Sequence, residues 1–266
     1  MTHFYTEVEG KVLPKHYVKM AKDPNKSRAS RTTDAKKAFK ESGEIWMPSV
    51  TGIIGILDKP ALLNWKVDQH LEQAYQIDPT DTGMQYFDYL RTVKAKAQEK
   101  MDEAPAAGTA IHNVLEAYIK DGVMPEDTIQ KLICNNVRTE IIKHCGIDVE
   151  TDNDFQTERH FVDSELGYGG AMDLQNPDWV IDYKSKQTAK KFIRGKMAYI
   201  DHARQLVAYG EAVCSTGYQA ANIFICLENG EVDFHVHKQE SLPDAFLDFK
   251  DCLSLYHRNN YNPFTL

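Results

Sequence analysis

GYGGAMDLQNPDWVIDYKSK, residues 167–186, is the stretch of the chain that most strongly indicates its fold. Two short runs rich in β-favouring residues flank an Asn-Pro-Asp segment at 176–178, which is typical of a tight turn between strands. Asp173 lies near the end of the first run, and Asp182 lies nine residues later, near the end of the second. We therefore expect a strand–turn–strand unit that brings Asp173 alongside Asp182.

The second of these strands carries Asp182 and Lys184, which point to the same face because side chains alternate along a strand. Two converging carboxylates repel each other unless a cation lies between them, so Asp173 and Asp182 predict a metal site. Oxygen ligands of this kind select Mg²⁺ or Mn²⁺. A lysine beside such an ion orients an attacking water or stabilises charge on a phosphate. The alternative interpretation is an exposed charge pair between Asp182 and Lys184 on an ordinary strand.

A helix predicted to end near Lys120 contains a single histidine on its apolar face. His112 shares that face with Leu115 and Ile119, so its imidazole is expected to point inward. Two interpretations remain open: a buried structural histidine, or an imidazole ligand of the same metal ion. Glu116, one turn further on, is either a helper of that site or the ion-pair partner of Lys120.

Basic residues are concentrated in two segments, although the net charge of the chain is −8. Residues 1–40 contain ten Lys and Arg against four Asp and Glu, and residues 184–204 contain seven against one, so each segment is locally +6. Affinity for phosphate depends on such local clusters rather than on the total charge. Lys186 and Arg204 are therefore candidate DNA-binding residues, and the alternative is a solvated basic face.

Changes of pattern divide the chain into three parts. Residues 1–45 are basic and polar, and we expect an exposed, flexible N-terminal segment there. Residues 46–105 are expected to be helical, with one helix that begins at Pro60. Residues 106–266 mix helical and strand patterns and are expected to form one catalytic domain.

Local signals give finer expectations for the helices. Ser49 or Thr51 is expected to cap a short helix just before the first long one. A helix is expected over Met84–Met101, and a separate helix is expected to start after 106–109 and to run to about Lys120.

Composition excludes several classes of protein. No apolar stretch approaches the roughly 20 residues that a membrane span needs, and charges occupy the N-terminus where a signal peptide is apolar. We therefore expect no membrane association and a cytoplasmic location. The five cysteines never occur as CxxC, which argues against a disulfide framework and a zinc ribbon.

Four short motifs follow one another in the order of a known enzyme family. They read GTAIHNVLE at 108–116, GGAMD at 169–173, DYK at 182–184 and QLVAY at 205–209. The chain thereby resembles the RecB-like nucleases of the PD-(D/E)XK superfamily, whose signature runs GTxxHxxLE, GxxD, (D/E)xK and QxxxY. The segment MPSVTGIIGIL at 47–57 is similar to mitochondrial genome-maintenance exonucleases and their phage relatives.

The resemblance implies an α/β fold: a restriction-endonuclease-like core with a mixed β-sheet flanked by helices, and a helical N-terminal region. The metal ligands that it implies for Mg²⁺ or Mn²⁺ are His112, Asp173, Asp182 and the backbone carbonyl of Tyr183. Lys184 is implied as the catalytic lysine. The supporting residues are Gln205, Tyr209 and, on the strand before Asp173, Glu158. Because Gln205 and Tyr209 are four residues apart on a helix, both can face DNA or a neighbouring loop.

The activity that the resemblance implies is hydrolysis of DNA by an exonuclease that prefers single strands or DNA ends, in the host cytoplasm if the chain is phage-encoded. Some superfamily members carry a four-cysteine iron–sulfur cluster. No Cys precedes His112 and only Cys252 lies in the last 40 residues, so we expect no such cluster. The alternatives are an endonuclease of the same fold, an RNA-directed nuclease and a non-catalytic nucleic-acid-binding protein. DNA is the expected partner, and the sequence does not predict which proteins the chain binds.

Overall fold

The chain is described from a computed structural model that covers residues 3–20, 23–77, 83–152, 154–214 and 217–264. Its contacts define two compact units. The core unit comprises Met1–Leu57 and Leu115–Leu266, and the helical unit comprises Asp58–Val114.

The N-terminal part of the core unit consists of short strands and one helix. These elements are β1 (Phe4–Val8), β2 (Lys11–Pro14), β3 (Tyr17–Met20), β4 (Asp23–Ala29), α1 (Thr32–Ser42) and β5 (Met47–Pro48). β1 pairs with β2 and β5, and β3 pairs with β4. Most described residues of 1–45 are exposed or half-exposed, as expected, but the segment also forms strands and a helix, and Phe4 and Ala35 are fully buried in the main hydrophobic core. The many lysines dominate the average composition and hide the few apolar side chains that anchor the segment.

The helix α2 (Val50–Ile54) confirms the predicted short helix before Pro60. Its N-cap is Ser49 rather than Thr51, since Ser49 Oγ accepts a hydrogen bond from the backbone N–H of Gly52 at 3.1 Å. A β-bridge between Ser49 and Gly169 connects the start of this helix to the central sheet.

The helical unit contains α3 (Pro60–Gln76) and most of α4 (Tyr86–Asp121), which continues into the core unit. α3 begins at Pro60, as predicted. The expectation of two separate helices around 106–109 is wrong, because α4 runs through Pro105 without a break. Proline removes one backbone N–H from the helix, but alanine, the strongest helix former, precedes and follows it here.

Five strands form the central sheet of the core unit. They are β6 (Gln156–Asp163), β7 (Tyr168–Gln175), β8 (Trp179–Lys186), β9 (Gln219–Cys226) and β10 (Val232–Val236). The strand order is β10-β9-β8-β7-β6, with β8 and β9 parallel and the other neighbours antiparallel. The sheet is therefore mixed, and the predicted strand–turn–strand unit forms its β7–β8 pair.

Helices flank this sheet, which confirms the predicted α/β fold. They are α5 (Thr128–Cys145), α6 (Ile200–Val213) and α7 (Leu242–Asn259). α6 connects the parallel strands β8 and β9, and Tyr168 on β7 donates its hydroxyl to the backbone carbonyl of Ala208 on α6 at 2.8 Å. α5 packs against the β9–β10 hairpin, where Asn136 Nδ2 donates to the carbonyl of Gly230 at 2.8 Å. No helix in the described part of the chain is long and apolar enough to cross a membrane.

Candidate active site

The strands β7 and β8 separate where the predicted acidic residues lie. Among the described residues their registered pairs join 174–175 to 180–181, and the next residues along are Asp173 and Asp182. At this point the backbone N–H of Tyr183 donates to Asp173 Oδ2 at 2.6 Å. The Asp173 carboxylate thus takes the place of a strand carbonyl and is fixed at the opening between the two strands.

Glu158 on β6 lies between Thr157 and Arg159, which pair with Leu174 and Met172 on β7, so the position across from it is that of Asp173. Its φ of 47° lies in the left-handed region, which residues other than Gly rarely adopt. Carboxylate oxygens of Glu158 and Asp173 lie within 4.8 Å of each other. Like charges directly opposite destabilise a strand pair, and the strained backbone adds to this cost. A divalent cation would relieve the repulsion, and carboxylate oxygens are the donors that Mg²⁺ and Mn²⁺ prefer, so these residues fit such an ion.

Asp182 and Lys184 form a largely buried ion pair one residue to either side of Tyr183. Lys184 Nζ lies 2.6 Å from Asp182 Oδ2, and Asp182 is only 4 % exposed. The two side chains share a face, as strand alternation predicted. The alternative of an exposed charge pair is wrong, because the carboxylate is shielded from solvent.

The side-chain amide of Gln205 on α6 hydrogen-bonds to both Asp182 and Lys184. Its Nε2 donates to Asp182 Oδ1 at 2.8 Å, and its Oε1 accepts from Lys184 Nζ at 3.0 Å. The same Nε2 lies 2.8 Å from the hydroxyl oxygen of Tyr209, one turn further along α6. Burial, and after it the charge of Asp182, raises the pKa of Tyr209 well above its usual value, so its hydroxyl stays protonated. The two motif residues on α6 therefore orient Asp182 and Lys184.

The glycines before Asp173 make room for neighbouring side chains and backbone. A Cβ at Gly170 would lie 2.8 Å from a ring atom of Phe161 and 2.9 Å from a ring atom of Tyr209. A Cβ at Gly169 would lie 2.8 Å from the backbone oxygen of Phe161. The GGAMD motif thus allows the β6–β7 pair to pack closely against Tyr209.

Two buried polar residues complete the surroundings of Asp182 and were not predicted from the sequence. Asn222 on β9 donates through Nδ2 to Asp182 Oδ2 at 3.1 Å, and its Oδ1 lies 2.8 Å from His237 Nε2. Because a carboxylate only accepts, the Asn222 amide nitrogen must face Asp182, and His237 Nε2 must therefore carry the proton. Burial, with a smaller effect of His235, lowers the pKa of His237 to about 4. The one available signal was an Asn in the middle of the apolar strand QAANIFIC.

The predicted ligands are not all brought together. The group of described side chains able to share one ion includes Glu158 and Asp173 but not Asp182, whose carboxylate is engaged by Lys184 and two amides. Ligation by the Tyr183 carbonyl stays a prediction. His112 is half-buried on α4, in the part that contacts assign to the helical unit, three residues before Leu115.

The remaining candidates divide between the site and the surface. Glu116 pairs with Lys120 at 3.4 Å, the simpler of its two predicted roles. Arg204 is committed to Asp201 and Asp248 at 2.9 and 2.6 Å, so the structure gives no support to its predicted contact with DNA. Lys186 is half-buried at the end of β8.

Comparisons with known proteins add little to this geometry. No protein-family model matches the chain, and no curated protein matches it. Solved structures do match, among them one titled "Crystal structure of SSO0001", with 12% sequence identity and a TM-score of 0.26 over 59% of this chain and 88% of that chain. A likeness of this degree supports no conclusion about function.

Proposed function

We propose that the chain is a divalent-metal-dependent nuclease that hydrolyses phosphodiester bonds in DNA. The observation that carries this proposal is the carboxylate pair of Glu158 and Asp173, which lies beside the Asp182–Lys184 ion pair. The backbone N–H of Tyr183, the residue between Asp182 and Lys184, donates a hydrogen bond to Asp173 and fixes it there. Two opposed carboxylates and a strained backbone are costly, and ion binding explains why both occur at one position.

Glu158 and Asp173 would hold the ion. The resemblance implies His112 as a further ligand, and this role stays a prediction. Two carboxylates and one imidazole form a donor set that suits Mn²⁺ and Mg²⁺. When bound, such an ion activates water and neutralises charge on a phosphate.

Lys184 supplies the positive charge that the protein itself brings to the reaction. Asp182 and Gln205 fix its ammonium at 2.6 and 3.0 Å, so that it needs little reorganisation to face a phosphate oxygen. In this arrangement Asp182 acts through Lys184, and Gln205 prevents the lysine from swinging into solvent. The implied role of Asp182 as a direct metal ligand stays a prediction.

Lys184→Met tests this role. We expect it to lower the cleavage rate of end-labelled DNA by roughly 100- to 1,000-fold, the usual loss for one group that stabilises transition-state charge. Lys250→Met on α7 is the matched control, because Lys250 is exposed and lies over the ring of Phe246 rather than at the site. Circular dichroism and thermal unfolding verify that both variants fold.

The same assay separates the alternative functions. Cleavage in Mg²⁺ or Mn²⁺ that EDTA abolishes supports the nuclease, and binding without cleavage would identify a non-catalytic nucleic-acid-binding protein. RNA and DNA of one sequence distinguish the preferred polymer. The preference for single strands or ends comes from the resemblance alone, and rapid degradation of a closed single-stranded circle would indicate an endonuclease.

A further inference from the structure

The loop between β8 and α6, residues 187–199, carries most of the local positive charge and is held firmly in place. Phe192 and Met197 are buried against Phe224 and Cys226 of β9. The backbone of the loop donates from Ala189 to Glu228 Oε2 at 2.6 Å and from Gly195 to Asp233 Oδ2 at 2.8 Å. Its charged side chains therefore project from a fixed backbone rather than from a loose basic run.

Five cations of this region form no ion pair among the described residues. In the part of the chain that the structure describes, no ion pair joins an acidic side chain to Lys186, Lys190, Lys191, Arg194 or Lys196. Burial, followed by repulsion from Lys184 and Lys191, lowers the pKa of Lys186. Unpaired cations that repel one another form a site that an anion stabilises.

An exposed aromatic ring lies among these cations. Tyr199, the N-cap of α6, is 62 % exposed, and Lys186 Nζ lies 5.8 Å from its ring centroid. Aromatic rings beside a basic groove are the usual platforms on which unpaired bases stack. The adjoining N-terminal end of α6 also favours negative charge.

This surface leads directly to the candidate active site. Asp182, Lys184 and Lys186 occupy alternate positions along β8 and thus share one face. His202 lies one turn after Tyr199 on α6. Burial is the main cause that lowers the pKa of His202, and the nearby charges of Lys184 and Lys186 lower it further. A chain that contacts Tyr199 and Lys186 would therefore have its next phosphates near Lys184.

We propose that Tyr199, Lys186, Lys191 and the cations between them form a docking strip for single-stranded nucleic acid, with Tyr199 stacking on one unpaired base. The proposal rests on the proposed function and names the substrate form that the site takes. It predicts a division of labour: the lysines bind phosphates whatever the base pairing, whereas Tyr199 acts only on an unpaired base. A stiff duplex gains the charge contacts without the stacking contact.

The test is binding of a fluorescent oligothymidylate of about 12 nucleotides, measured by anisotropy in EDTA so that no cleavage occurs. Tyr199→Ala is expected to weaken single-strand binding by about tenfold, to leave its salt dependence unchanged and to leave duplex binding nearly unchanged. Replacing Lys186 and Lys191 by Gln is expected to weaken single-strand and duplex binding alike. The slope of log affinity against log salt should fall by about 0.7 per lysine for the single strand and by about 0.9 for the duplex. Tyr17→Ala is the matched control, since Tyr17 on β3 is 66 % exposed.

The proposal is overturned if wild type, Tyr199→Ala and Tyr17→Ala bind the single strand with equal affinity. It is also overturned if Tyr199→Ala loses as much affinity for the duplex as for the single strand. The measurement does not depend on catalysis. If the wild-type protein binds as expected but never cleaves, the proposed nuclease function fails and the strip stands. If Lys184→Met abolishes cleavage while Tyr199→Ala binds normally, the strip fails and the nuclease stands.

Discussion

At the scale of single residues, Asp182 shows how a carboxylate can be central to a site and yet hard to test by removal. Three donors hold it in a buried place. Asp182→Ala would leave a partly buried ammonium and two amides without their acceptor, which costs up to about 3–5 kcal/mol. A loss of cleavage in that variant would mix lost chemistry with lost folding. A substitution of a residue that contacts Asp182 separates the loss of catalysis from the loss of folding.

Asn222→Ala is such a substitution. We expect it to lower the free energy of unfolding by about 1–3 kcal/mol, because His237 Nε2–H loses its acceptor and Asp182 loses a donor inside the protein. Urea denaturation measures the change. Asn135→Ala, at an exposed position of α5, is the control and should alter stability little. If both variants are as stable as wild type, the relay from Asp182 to His237 has no structural weight.

The sequence predicted some members of this site better than others. Asp173, Lys184 and Gln205 belong to motifs whose spacing is visible along one strand or helix. Glu158 was only an additional candidate, because its importance depends on a left-handed backbone and a register that no local pattern reveals. Asn222 comes from a strand that is 40 residues from Asp182, so only the parallel β8–β9 pairing brings them together.

At the scale of elements, the close packing of β7 against α6 positions the site. We expect Gly170→Ala to destabilise the protein by about 1–3 kcal/mol, because the added methyl group would overlap Phe161 and Tyr209 and force them to shift. Gly217→Ala is the matched control, since a Cβ there meets no atom within 4 Å. Thermal unfolding compares the two, and an equally small effect in both would contradict this account of the GGAMD motif.

Elements with strong local signals were predicted correctly. The β7–β8 pair and the Ser49-capped α2 each have a turn or cap residue that acts within a few positions. Continuity of α4 was missed because the signals at Pro105 and Gly108 normally end a helix. The N-terminal strands were missed because their pairing depends on apolar contacts with distant residues rather than on their own composition.

At the scale of the whole molecule, buried neutral histidines link stability to pH. Burial is the largest cause that lowers the pKa of His16 and His237 to about 4 and that of His202 to about 3. In the unfolded chain these groups titrate near 6.5, so as the pH falls below that value the unfolded state takes up protons that the folded state does not. Stability is therefore fully present above about pH 7 and is lost progressively toward about pH 4.

We accordingly expect a lower Tm at about pH 5 than at about pH 7.5 in metal-free buffer, measured by circular dichroism. Carboxylates whose pKa is lowered by arginine, such as Asp34 and Asp148, remain ionised throughout this window and do not explain the change. An unchanged Tm between the two pH values would show that these histidines are not held neutral.

In the proposed nuclease Glu158 and Asp173 hold a divalent cation, and calorimetric titration of the metal-free protein with Mn²⁺ measures whether they do. Asp173→Asn and Glu158→Gln keep the shape of each side chain and remove one charge, and Glu165→Gln in the exposed turn after β6 is the control. We expect wild type and Glu165→Gln to bind Mn²⁺ alike, and each site variant to bind it at least roughly tenfold more weakly. Identical Mn²⁺ binding by all four proteins, or none by the wild type, would contradict the account.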